Sequence, residues 1–244
     1  MPRRPREIIP GIPYHVTHRG NHRDAILATE AERAMYVSIM ARWQEDSGIL
    51  IAAFVIMPNH VHFIVVAPTE DAISRWIANG HRDYSRWLNT VKGRRGHNWE
   101  ERFFAVAMDE GHCLNALRYI ERNPVAAGLS ATPWAWHWSS AGWHAGTGPR
   151  PGLLNHDLRP AGTTPAAWRA ALLQPAAPEF RAKLHECRRG GFALGSEEWA
   201  AALERAHGVS LRRRKPGPRP ATADANGRTA IRGATTDARV SQPA

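Results

Sequence analysis

Cysteine is nearly absent. The 244 residues hold two, Cys113 and Cys187, far apart and in no paired motif. That excludes a cysteine-built metal cluster, and a structural disulfide is not expected in a reducing compartment. Long apolar runs are missing as well: no stretch approaches the ~20 residues of a membrane span. No signal-type apolar segment follows the basic start Met1-Pro2-Arg3-Arg4-Pro5-Arg6. The expectation is a cytoplasmic protein with no membrane partner. Negative charge is in short supply, with 22 Asp+Glu against 32 Lys+Arg and a net charge of +10. A surplus of that size favours a polyanionic partner, nucleic acid first. No internal repeat is visible.

What is present is an alternation of strand and helix patterns over the first 145 residues or so. Residues 12–19 alternate and are rich in β-formers. Thr29 and Glu32 have capping-box spacing, and Tyr36, Ile39, Met40 and Trp43 follow on one helical face. Residues 49–57 form a nearly continuous apolar run, Pro58-Asn59 signals a tight turn, and a second apolar run returns from it towards Pro68. A helix is predicted over residues 71–89, with Ile73, Trp76, Ile77, Tyr84, Trp87 and Leu88 in one stripe. A basic loop, Lys92-Gly93-Arg94-Arg95-Gly96-His97, precedes a fourth strand at residues 102–108. A third helix over residues 111–122 ends at Asn123-Pro124, since a residue before proline is disfavoured in helical geometry. The order predicts an α+β fold, a ferredoxin-like antiparallel sheet with helices on one face. The other face is expected to be open and to suit a groove for an extended ligand.

From about residue 146 Gly and Pro become frequent, and a linker with a small helical, basic extension is expected over residues 146–220. Thr164-Pro165 starts one helix, Phe180, Leu184 and Cys187 share a face of another, and Ser196 caps a third carrying Trp199 and Leu203. Residues 221–244 are low in apolar side chains and read as a disordered tail.

Chemistry concentrates in Met57-Pro58-Asn59-His60-Val61-His62-Phe63. On a strand, His60 and His62 project from the same face. Two imidazoles so placed either chelate a metal ion or are two inert polar residues. On the third helix Leu114, Leu117 and Ile120 form the apolar stripe, and Tyr119 points roughly 160° away from it at ~100° per residue. Asn123, four residues on, lies on the side of Tyr119. A phenol one turn from a carboxamide and off the core face reads either as a site or as two exposed polar residues. Trp134, Trp136 and Trp138 either stack on bases or pack a terminus down. A zinc hydrolase would need a third strong ligand and a carboxylate base near His60, and the sequence offers no such motif.

Four stretches taken together carry a resemblance. They are Phe54-Val55-Ile56-Met57-Pro58-Asn59-His60-Val61-His62-Phe63-Ile64, Tyr14-His15-Val16-Thr17-His18-Arg19-Gly20-Asn21, Tyr119-Ile120-Glu121-Arg122-Asn123-Pro124-Val125 and Trp136-His137-Trp138-Ser139-Ser140-Ala141. In order and spacing they resemble the HUH single-tyrosine transposases, and their REP-associated branch most closely, over about residues 12–145. The resemblance implies a catalytic domain over residues 1–145. His60 and His62 match the metal-binding histidines, Tyr119 the nucleophile, and Asn123 the residue completing the metal shell. It implies Mg2+ or Mn2+ as cofactor and cleavage of single-stranded DNA beside a hairpin or palindromic repeat through a 5′-phosphotyrosine. It also implies a monomer or a homodimer. No catalytic role is carried onto the histidine-rich segment at residues 14–23. The alternative is a non-catalytic nucleic-acid-binding module with a vestigial metal site. Candidate DNA contacts are Arg19, Arg23, Lys92, Arg94, Arg95, Arg212, Arg213, Arg214 and Lys215, with Arg3, Arg4 and Arg6 at the start of the chain.

Overall fold

Four strands organise residues 7–212, the part of the chain that this computed structural model describes. They are β1 (Pro13–Arg19), β2 (Leu50–Ile56), β3 (His60–Val66) and β4 (Phe104–Ala107). The sheet order is β2-β3-β1-β4, and every neighbouring pair is antiparallel. Helix α1 (Glu30–Ser47) connects β1 to β2, and α2 (Ala72–Val91) connects β3 to β4. This is the expected ferredoxin-like arrangement.

Both connecting helices lie on one face, as right-handed crossovers between parallel strands of one sheet require. The start of α1 is fixed by the capping box: Thr29 accepts from the Glu32 amide, and the Glu32 carboxylate accepts from the amides of Ala28 and Thr29. It ends where Gly48 takes a left-handed conformation, φ 67°. Tyr36, Ile39 and Met40 of α1 and Ile73, Trp76, Ile77, Tyr84 and Leu88 of α2 are buried against Val16, Phe54, Phe63 and Val65 of the sheet. Gly80 permits the close approach of the two helices, because a Cβ there would collide with Met40 Sδ.

The second face is covered too, and here the expectation of an open groove is corrected. Helix α3 (Glu110–Glu121), capped by Asp109, packs Cys113, Ala116, Leu117 and Ile120 onto Val55, Ile64 and Val106. After the short turns α4 (Asn123–Ala126) and α5 (Ala141–His144) come α6 (Pro165–Leu173), α7 (Pro178–Gly190) and α8 (Glu197–His207). Trp168 and Leu172 of α6 and Leu184 and Cys187 of α7 join the same core as α3. The reason is legible in β2. It contributes Ile51, Phe54 and Ile56 to one core and Ala52, Ala53 and Val55 to the other. A strand apolar on both sides needs cover on both sides. Because α3 follows the last strand, no crossover rule ties it to the face of α1 and α2.

The segment after residue 145 therefore packs into this body as far as Arg212. The expected tail at 221–244 lies outside the described residues. The tryptophan segment packs down: Trp138 and Ser140 extend the edge of β2 through Ile56 N–H to Trp138 O (2.8 Å) and Ser140 N–H to Phe54 O (3.0 Å). Trp136 Nε1 donates to Ile56 O, and Trp138 Nε1 donates to the Glu30 carboxylate. The far end of α3 is held by Glu121, which is fully buried. Its carboxylate accepts from Ser140 Oγ, His144 Nδ1 and Trp168 Nε1. No helix among the described residues is long and apolar enough to cross a membrane.

Candidate active site on the α3 face

The alternation of β3 sends Val61, Phe63 and Val65 into the α1/α2 core and Ile64 into the α3 core. His60 and His62, in phase with Ile64, therefore face α3. Their ring centroids are 4.9 Å apart at an interplanar angle of 85°. In β1, Arg19 is registered against His60, Thr17 against His62 and His15 against Ile64, so the three share that face. Helix α3 brings the Tyr119 ring edge-on to His62 (centroids 6.0 Å) and to His15 (6.4 Å). Asn123, opening α4, sets Nδ2 3.3 Å from His62 Nε2. Pro124 is tolerated there because the first turn needs no amide donor. The off-stripe tyrosine, its carboxamide neighbour and the paired histidines thus lie close together on this face.

The hydrogen bonds set the tautomers. Asn123 Nδ2–H can only donate, so His62 Nε2 accepts and His62 carries its proton on Nδ1. That N–H donates to His15 Nε2 at 2.8 Å. His60 Nδ1–H donates to Asn59 Oδ1 at 2.7 Å. Both paired histidines thus keep a lone pair on Nε2. Burial keeps them neutral. It pulls His60 down to about 4, with Arg19 and Arg188 adding to the shift. It pulls His62 well below its ordinary value, followed by His60, His15 and the same two arginines. His15, fully buried, falls to about 3. Neutral imidazoles are what a metal ion requires. Rotation of the Asn123 amide would turn Oδ1 towards the same point. The donor set fits a divalent ion on His60, His62 and Asn123. It is a sparse set: among the described residues no three His, Cys, Asp or Glu side chains converge on one point.

His15 and Asn59 were not singled out by sequence. Each holds the Nδ1 of a paired histidine, the outer contact that orients metal-binding imidazoles. The signal for His15 was the alternation His15-x-Thr17-x-Arg19, but it speaks only once β1 is known to lie beside β3. The C-terminal segment also contributes: Phe180 of α7 meets the Tyr119 ring (centroids 6.1 Å), and Arg188 lies over Phe104.

The basic residues divide. Arg19 is half-buried beside His60. Exposed Arg23, with His22, sits in a 3-10 turn at positive φ (64° and 52°), a conformation rare outside glycine. The carbonyl of Arg23 accepts from Asn59 Nδ2, tying that turn to the residue that supports His60. Arg95 is exposed, whereas Arg94 bonds to Asn98. Lys92 pairs with the buried Glu32 at 2.7 Å, and Arg212 with Glu204, also at 2.7 Å. Arg213, Arg214 and Lys215, like Arg3, Arg4 and Arg6, lie outside the described residues.

Residues 9–123 match the family model described as "Transposase IS200 like". This segment, just under half of the chain, is similar to the IS200-like transposases. A solved structure described as a REP-associated tyrosine transposase bound to a REP hairpin is similar to this chain. Its TM-score is 0.50 at 23% identity, over 66% of this chain and 96% of that one. At that identity the likeness speaks for the fold. A candidate transposase from Deinococcus radiodurans aligns with TM-score 0.35 and 17% identity, over 50% of this chain and 97% of that one, and nothing rests on it. No curated protein matches the sequence.

Proposed function

We propose that this protein is a transposase, a metal-dependent endonuclease and strand transferase for single-stranded DNA, with Tyr119 as nucleophile. The observation that carries the reading is the convergence of Tyr119 with His62 and Asn123 from separate elements, the Tyr119 ring edge-on to the histidine whose Nε2 faces the carboxamide. His60, His62 and Asn123 would hold a divalent ion, Mg2+ or Mn2+ as the family resemblance implies. That ion would withdraw charge from a phosphate oxygen as a Lewis acid.

The remaining work falls to the chain's own residues. Tyr119 Oη attacks phosphorus, and the phenolic proton passes to solvent. The P–O3′ bond breaks with its electron pair on the 3′-oxygen, which takes up a proton. The product is a 5′-phosphotyrosine and a free 3′-hydroxyl. Reversal by another 3′-end rejoins DNA, so the linkage supports strand transfer as well as cutting. His15 and Asn59 keep the imidazoles oriented throughout. The solved neighbour was bound to a REP hairpin, and a hairpin beside a single strand is the substrate we propose here.

The test is incubation with hairpin-bearing single-stranded oligonucleotides and Mn2+ or Mg2+, with a denaturing gel to detect protein–DNA adduct. The wild type is expected to form it and Tyr119→Phe to form none. Tight DNA binding without any adduct would instead establish the non-catalytic binding module.

A further inference from the structure

Helix α7 reaches the site from outside the family segment. Leu184 and Cys187 anchor it in the α3 core, and the next residue, Arg188, directs its guanidinium over the Phe104 ring, 5.0 Å from the centroid. Phe104 is registered against Thr17, and Thr17 against His62. The three occupy one row across the sheet, on the face where Arg19 stands beside His60.

Arg188 is a costly residue to keep there. It is half-buried, and its Nε is shielded from water with no hydrogen-bond partner. Burial lowers its pKa first and the charge of Arg19 second, while Tyr119 and Glu100 act the other way. Glu100 is near enough to be felt, yet among the described residues no ion pair joins a carboxylate to Arg188 or to Arg19. The positive charge of Arg188 also depresses His15, His60 and His62. Two like charges beside neutral imidazoles repel each other until an anion arrives between them. A guanidinium has the planar fork that matches the paired oxygens of a phosphate.

We propose that Arg188 and Arg19 form a phosphate-binding pocket that grips the non-bridging oxygens of the phosphodiester presented to Tyr119. The proposal rests on the reading of Tyr119 as nucleophile. It makes the C-terminal segment a wall of the active site, supplied by a residue beyond positions 9–123. In the transition state those oxygens carry the growing charge, so two fixed cations there favour the attack as well as binding.

The test uses the full chain with Arg188→Met, which keeps a long side chain over Phe104 and removes the charge, and Arg188→Lys, which keeps the charge without the fork. Three readouts are compared with the wild type: adduct rate at saturating hairpin DNA, the slope of log affinity against log salt, and melting temperature. Arg188→Met is expected to slow adduct formation at least tenfold and Arg188→Lys to recover part of it. The salt slope should become shallower by about 0.7, the value for one phosphate contact on a single strand. Melting temperature should not fall, since an unpaired, half-buried charge is removed. A methylphosphonate at the mapped cleavage position should weaken binding by the wild type and by less in Arg188→Met. Rate and slope equal to wild type, or an equal methylphosphonate penalty in both proteins, overturns the proposal whatever the melting temperature. If the wild type forms no adduct, the nucleophile reading falls, and the salt slope still decides whether Arg188 touches phosphate.

Discussion

The sheet carries a pair of stacked, buried histidines on each face, and the two pairs are nearly superimposable in geometry. His18 and His81 lie 2.8 Å apart between ring nitrogens, with centroids at 4.9 Å and planes at 15°. His15 and His62 also lie 2.8 Å apart, with centroids at 5.0 Å and planes at 12°. They differ in which nitrogens meet, Nδ1 on both rings in the first pair and His15 Nε2 with His62 Nδ1 in the second, and in what the outer nitrogens touch. His18 Nε2–H donates to the Glu100 carbonyl, so its Nδ1 must accept from His81 Nδ1–H, and His81 Nε2 then accepts from the Tyr36 hydroxyl. All four nitrogens end on protein groups, and His81 is stacked on Trp99 at 3.8 Å besides. On the other face the chain ends on a rotatable carboxamide at His62 and on a buried, unpartnered His15 Nδ1. A buried histidine pair is therefore not a site in itself. What distinguishes a site is ring nitrogens that the protein leaves without a partner or on a group that can turn away.

The largest effects should separate the two faces outright. His60→Ala, at the half-buried member of the pair, is expected to abolish adduct formation while the melting temperature moves little. His81→Ala should do the reverse. It removes the partner of His18 Nδ1 and of the Tyr36 hydroxyl and should cost roughly 2–4 kcal/mol in urea denaturation, with a normal adduct rate per folded molecule. Loss of activity in a folded His81→Ala protein would erase the distinction. A smaller effect is expected at His15. His15→Ala should weaken Mn2+ binding about 10–100-fold, the usual loss when the outer partner of a metal-binding imidazole is removed. Direct titration by electron paramagnetic resonance reads it, and His15→Gln, which can still accept from His62 Nδ1–H, should recover part.

The smallest effect concerns pH. His81 is held well below its ordinary pKa by burial and then by His18. Between that depressed value and about 6.5 the unfolded chain binds a proton that the folded chain does not. Stability must therefore fall as pH drops below about 6.5, by at most ~1.4 kcal/mol per pH unit for each such histidine. Melting curves at pH 7.5 and 5.5 should show the loss, and His81→Ala should flatten the dependence. A melting temperature that rises on acidification contradicts the neutral assignment.

The inert pair and the candidate site differed in how far sequence could see them. His60 and His62 are two residues apart on one strand, and Tyr119 and Asn123 one turn apart at the end of a helix, so local periodicity aligned each pair. His15 depends on the β1–β3 register, and Arg188 on the packing of α7 beside β4, both long-range facts that no local spacing encodes. The face on which α3 packs was misjudged for a related reason. Helical periodicity identifies the buried stripe of a helix but not the side of the sheet that receives it. The unbroken apolar run of β2 was the available clue.

The central claim is that Tyr119 is the atom donor facing a metal-ready histidine pair. Its most direct test is proteolysis of the protein–DNA adduct formed with a hairpin-bearing single strand in Mn2+, followed by mass spectrometry of the nucleotide-bearing peptide. The account predicts one modified peptide, spanning Tyr119, with the nucleotide joined through a 5′-phosphate to the phenolic oxygen. A modification on any other residue, or a 3′-phosphate linkage, would contradict it.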